Sequence, residues 1–119
     1  MKKIFQILLI VVGGLLMNSC YYDELQDPVI PELPSDVDIL FGTQIQPIFT
    51  NNCTGCHNAN RDPDLRAGFA YSALVPQYVT ASNAVASPLY VQLAGGHQGL
   101  ATDKIALIKT WINQGAKNN

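Results

Sequence analysis

Residues 53–57 read Cys-Thr-Gly-Cys-His: two thiols three positions apart, then an imidazole. Thiolates and imidazoles are soft nucleophiles and metal ligands, so the cluster has four possible chemistries. It can be a thioredoxin-like dithiol, but no βαβ pattern surrounds it. It can be half a zinc site completed by His57 and His97, but the chain has no second Cys-x-x-Cys and no His-x-x-x-His. It can be a structural disulfide with His57 incidental. The fourth chemistry uses all three residues. Cys-x-x-Cys-His is the attachment signature of c-type haem, with Cys53 and Cys56 as covalent anchors and His57 as iron ligand. Two thiols at this spacing reach two vinyl groups on one porphyrin edge, and the next residue turns its imidazole to the iron. Thr54 and Gly55 keep the loop small enough to lie against a ring.

A haem iron takes a second axial ligand or leaves that position open. The only methionines are Met1 and Met17, both in the leader described below, so a Met–iron bond is not expected after processing. His97 is the only histidine besides His57, and it lies in the glycine-rich run Gly95-Gly96-His97-Gln98-Gly99. Neutral imidazole is a good iron ligand, and bis-histidine ligation by His57 and His97 is the expectation. Arg61 and Arg66 follow the motif and are candidate partners for haem propionates, since guanidinium matches carboxylate geometry. A backbone carbonyl near Pro63 is a candidate acceptor for the second nitrogen of His57.

The leader bears on the compartment. Met1-Lys2-Lys3 precedes an apolar run from Ile4 to Met17, interrupted by Gln6 and Gly13-Gly14 and followed by Asn18-Ser19-Cys20. A short apolar run behind lysines, ending in small residues, reads as a secretory signal and not as a membrane span. Residues 1–19 resemble a bacterial lipoprotein signal peptide, in which a small residue precedes the Cys that is lipidated. Ser19 and Cys20 match, and Asn18 departs from the pattern. The resemblance implies an exported chain tied to a membrane by acyl groups on Cys20. Tyr21, in place of an inner-membrane retention Asp, favours the outer membrane slightly. This accounts for an odd number of cysteines in an exported protein: three, two to anchor haem and one to carry lipid.

Residues 20–38 are expected to be an acidic tether. Six of the nine acids fall between positions 21 and 38, a stretch without Lys or Arg. Pro28, Pro31 and Pro34 recur every third residue, which favours an extended chain. Eighteen such residues span ~55 Å at about 3.1 Å each. The remaining 39–119 carry five bases and three acids. Nothing in this balance suggests nucleic acid. No nucleophile–base constellation or phosphate loop is present, and Asp62 and Asp64 flank Pro63 as loop residues, so an enzyme is not expected.

A domain of about 80 residues has a marginal core and benefits from a staple such as a bound cofactor. Helices must position the motif. Thr43 is expected to cap a helix through Ile45, Ile48 and Phe49, with Pro47 in its first turn. A short helix is expected from Ala70 to Val75. Ser87-Pro88 reads as a cap followed by Pro at the first helical position, with Gly95-Gly96 as the stop. Thr102 is expected to cap a last helix whose Ile105, Ile108, Trp111 and Ile112 share one face, and Gly115 ends it. No strand is expected.

From about Ile39 the chain resembles the short class I cytochrome c domains of bacterial lipoproteins and larger exported oxidoreductases. Ile45-Gln46-Pro47-Ile48-Phe49 before the motif is similar to their first helix. Ser87-Pro88-Leu89-Tyr90 is similar to a later segment, and 105–116 to their final helix. The resemblance implies an all-α fold around one haem, with first and last helices crossing near Phe49 and Trp111. It implies a monohaem one-electron carrier that works with redox partner proteins. The alternative is a haem-based binder or sensor of small ligands with an open or displaceable sixth position.

Overall fold

The computed structural model describes residues 1–4, 6 and 29–119. Cys20 and most of the leader and tether lie outside them. Four α-helices carry the domain: α1 (Gln46–Asn52), α2 (Ala70–Leu74), α3 (Pro88–Ala94) and α4 (Thr102–Asn113). A π-helical turn, Phe41–Ile45, runs into α1, and a 3-10 turn, His97–Gly99, precedes α4. No strand occurs among the described residues. The fold is all-α.

The helical run begins earlier than Thr43, which lies inside the π turn and caps nothing. Leu40 is the N-cap, and its N–H donates to Gln44 Oε1 at 2.8 Å, a side chain reaching back as in a capping box. The next two N–H groups are satisfied from the far end of the chain. Phe41 N donates to Asn119 Oδ1 (2.9 Å) and Gly42 N to the Asn119 carbonyl (2.8 Å). These are tertiary caps, so no local cap residue is needed. Pro47 falls in the first turn of α1, where its missing N–H costs little.

Two other expected caps are corrected. Ser87 does precede Pro88 at the start of α3, but its hydroxyl turns inward and makes no cap bond. It is wholly buried, accepting from Thr80 N (2.9 Å) and donating to the Asn83 carbonyl (2.8 Å). Packing the 80–87 loop takes precedence over capping. Thr102 is the first residue of α4, and Ala101 holds the N-cap position without a side-chain bond. Asp103 in the first turn complements the helix dipole. The stops fall as expected. Gly96 follows α3 at φ +89°, and Gly115 follows α4 at φ +101°, both in the left-handed region that glycine enters freely.

The expected apolar face of α4 is the core: Ile105, Ile108, Trp111 and Ile112 are all buried, with Ile45, Phe49 and Leu74. The crossing has a keystone other than Phe49 and Trp111. Phe41 sits between them, its ring centre 6.5 Å from Phe49, 5.2 Å from Trp111 and 5.3 Å from Tyr71. The C-terminal tail closes over this cluster. Trp111 Nε1 donates to the Lys117 carbonyl and the Tyr71 hydroxyl to the Ala116 carbonyl, each at 2.9 Å.

Contacts reach past the expected domain boundary at Ile39. Gln114 accepts from Ile39 N and donates to the Val37 carbonyl, both at 2.8 Å. Lys109 pairs with Glu32, and Ile30 packs against the core. The part of the expected tether from Ile30 onward is therefore docked on the domain.

Candidate functional site

The motif continues the coil of α1. Cys53 N donates to the Phe49 carbonyl (2.8 Å), and Cys56 N (3.1 Å) and His57 N (2.8 Å) both donate to the Cys53 carbonyl. Residues three and four apart on such a turn share a face, so Cys53, Cys56 and His57 all line one cavity. Thr54 points away and donates its hydroxyl to the Thr50 carbonyl at 2.8 Å. The two thiols are free. Burial pushes the Cys53 thiol up, and Lys104 partly offsets this.

The cavity holds about 590 Å³, within the roughly 300–1,000 Å³ range of cofactor sites. Its walls come from every part of the domain. The lining includes the motif, Lys104 of α4, Leu74 and Tyr78, and Pro88, Leu89, Gln92 and Leu93 of α3. His97, Gln98, Gly99 and Leu100 line it as well.

The two imidazoles are therefore brought together from residues 40 positions apart. Their ring centres are 6.2 Å apart with planes at 62°. Two imidazoles bound on opposite sides of one metal, with bonds of about 2.0 Å and a further ~1.1 Å from nitrogen to ring centre, would have centres ~6.2 Å apart. The observed spacing fits one iron between them. Gly55 lines the cavity, and a Cβ there would meet no protein atom, so protein packing alone does not demand glycine. No group of three or more His, Cys, Asp or Glu suited to a metal ion occurs among the described residues, and the four-ligand requirement of structural zinc is not met.

His57 Nδ1 is buried without a hydrogen-bond partner. The expected acceptor near Pro63 is not engaged: Pro63 lines the cavity, and the bond linking this loop to His57 runs from Leu65 N to the His57 carbonyl (3.2 Å). His97 is exposed and makes no side-chain hydrogen bond to the described residues. Its loop is held by three left-handed residues in four: Gly96 (φ +89°), Gln98 (φ +59°) and Gly99 (φ +60°). Gln98 is not a glycine, and its backbone carries strain there.

The two arginines part company. Arg61 lines the cavity. Arg66 does not. It forks onto Asp64, Nε to Oδ1 at 2.9 Å and Nη2 to Oδ2 at 2.7 Å, with its guanidinium 4.9 Å from the Phe69 ring centre. Its hydrogen bonds hold the Asp64 carboxyl below the usual range.

Sequence reasoning missed Lys104 and the Tyr78–Asp62 pair. Lys104 lines the cavity beside Cys53, and its Nζ donates to Asn52 Oδ1 at 3.2 Å, tying α4 to the end of α1. The Tyr78 hydroxyl donates to Asp62 Oδ2 at 2.7 Å, and both residues line the cavity. No local pattern marks these residues, because their roles depend on contacts far apart in sequence. Searches of protein families, curated proteins and solved structures return no match to this chain.

Proposed function

We propose that this chain is a membrane-anchored monohaem c-type cytochrome that carries single electrons between redox partner proteins. The observation that carries the reading is one cavity shared by Cys53, Cys56, His57 and His97, with the two imidazole centres 6.2 Å apart. Cys53 and Cys56 would hold the haem covalently, and His57 and His97 would supply the axial nitrogens. The group supplies a one-electron iron couple, and an iron with both axial positions filled suits electron transfer more than ligand activation. The protein's part is positioning and environment. The turn that follows α1 presents both thiols and His57 to one cavity, Leu74, Leu89 and Leu93 supply apolar wall, and Lys104 and Arg61 supply positive charge. Anchoring through acylated Cys20 remains part of the proposal, with the outer membrane preferred.

The test is expression with its leader in a bacterium able to attach haem outside the cytoplasm, followed by intact-mass measurement. A mass increased by one haem, lost in Cys53→Ala/Cys56→Ala, is the expected result. A chain recovered without haem overturns the reading.

A second reading has one observation in its favour. His97 is exposed, has no side-chain partner among the described residues and sits on a strained loop. Such a ligand is displaceable, as a sensor of small molecules requires. Carbon monoxide separates the two. Ready binding to the reduced native protein favours the sensor, and binding only after partial denaturation favours the carrier.

A further inference from the structure

Sequence alone makes 20–38 a free spacer, yet its second half is fastened along α4. Glu32 pairs with Lys109. Gln114, just past the end of α4, clasps the strand from both sides, donating to the Val37 carbonyl and accepting from Ile39 N. Ile30 lies against the core. These fastenings are of three kinds: an ion pair, a two-way amide clasp and apolar burial. The clasp also leads straight into Phe41 and Gly42, which the C-terminal Asn119 holds.

We propose that residues 30–39 are a strap that shortens the leash of the domain and fixes which side of α4 faces its attachment point. Ten residue steps separate Cys20 from Ile30, against eighteen to Asp38. At about 3.1 Å per extended residue the free reach falls from ~55 Å to ~30 Å. The strap also sets direction. Lys109, under the strap, is five residues beyond Lys104, which lines the cavity. Five residues turn an α-helix through roughly 500°, a net ~140°. The strap and the cavity thus occupy different flanks of α4, and the docked segment leaves the cavity uncovered. The candidate haem site is thereby left open to a partner. The consequence for reach rests on the anchorage proposed for Cys20; the strap itself does not.

The test is limited digestion of the full mature chain with a protease that cuts after Glu, followed at Glu32 by mass spectrometry. A synthetic peptide of residues 26–38 gives the unrestrained rate. The expected result is cleavage at least tenfold slower in the intact chain, accelerated several-fold by Gln114→Ala and by Lys109→Gln. Cleavage at the peptide's rate, or rates that neither substitution changes, overturns the strap. Circular dichroism of both variants checks that the helices persist. Digesting the lipid-bearing chain with phosphatidylcholine vesicles separates the two claims. A chain that does not float with the vesicles removes the anchorage and leaves the strap standing. Rapid cut at Glu32 in a chain that does float removes the strap and leaves the anchorage.

Discussion

Phe41 joins three aromatic side chains of the core, and replacing it tests how the domain is held together. It is 5% exposed and touches three aromatic rings, those of Phe49, Tyr71 and Trp111. Truncating a buried Phe to Ala costs about 3–5 kcal/mol through lost transfer energy and the cavity left behind. Each aromatic pair adds ~0.5–1.5 kcal/mol beyond area burial, so Phe41→Ala is placed at the upper end, about 4–5 kcal/mol. At ~0.05–0.15 kcal/mol per residue, 90 residues hold roughly 5–13 kcal/mol in total. The substitution therefore removes a third or more of the stability, and Tm falls by roughly 20 °C or more. Guanidinium unfolding followed by circular dichroism measures it. Phe69→Ala is the control: Phe69 is 53% exposed and should lose no more than about 1 kcal/mol. A loss below about 1 kcal/mol for Phe41→Ala, or equal losses for the two, refutes the keystone role.

Further outcomes follow from the site and the strap. His97→Ala should leave the helices intact, convert the oxidised spectrum to high spin and admit carbon monoxide readily, while His97→Met should raise the reduction potential. Lys104→Gln removes a cation from the cavity wall and should lower the potential, because a nearby positive charge favours the reduced iron; voltammetry reads it, and a rise would contradict the placement. The Lys109 ammonium is pushed up by its hydrogen bond to Glu32. A raised folded pKa means that its contribution is complete below the ordinary lysine value of 10.5 and fades as pH rises through the folded value. The methyl resonances of Ile30 should therefore hold steady from pH 7 to about pH 10 and move only above it. Both partners are partly solvated, so added salt should weaken the pair.

Much of this was legible in the sequence, for identifiable reasons. The face of Ile105, Ile108, Trp111 and Ile112 was readable because helical burial leaves a period, and the glycine stops because only glycine enters the left-handed region freely. The motif at 53–57 was readable because its spacing is local. The caps were not. Leu40, Phe41 and Gly42 find their partners in Gln44 and Asn119, and Ser87 turns away from its own helix to bind the 80–83 turn. For Phe41 and Gly42 a tertiary contact replaced the local rule, and for Ser87 the packing of its own loop did. Phe41 lay two residues outside the expected helix, beyond the reach of a periodic pattern. The strap was misjudged because its composition is that of a solvated linker, while its fastening lies in Lys109 and Gln114, more than 70 residues away. Lys104 and Tyr78 belong to the cavity through the same kind of long-range placement. Arg61 and Arg66 looked alike in sequence, and only the fork onto Asp64 distinguished them.

The proposed function requires one iron between His57 and His97. Low-temperature electron paramagnetic resonance of the oxidised, haem-loaded protein reports its ligands. A low-spin signal typical of two imidazole ligands is expected, becoming high spin in His97→Ala. A high-spin signal in the unaltered protein, or a low-spin signal that survives His97→Ala unchanged, contradicts it.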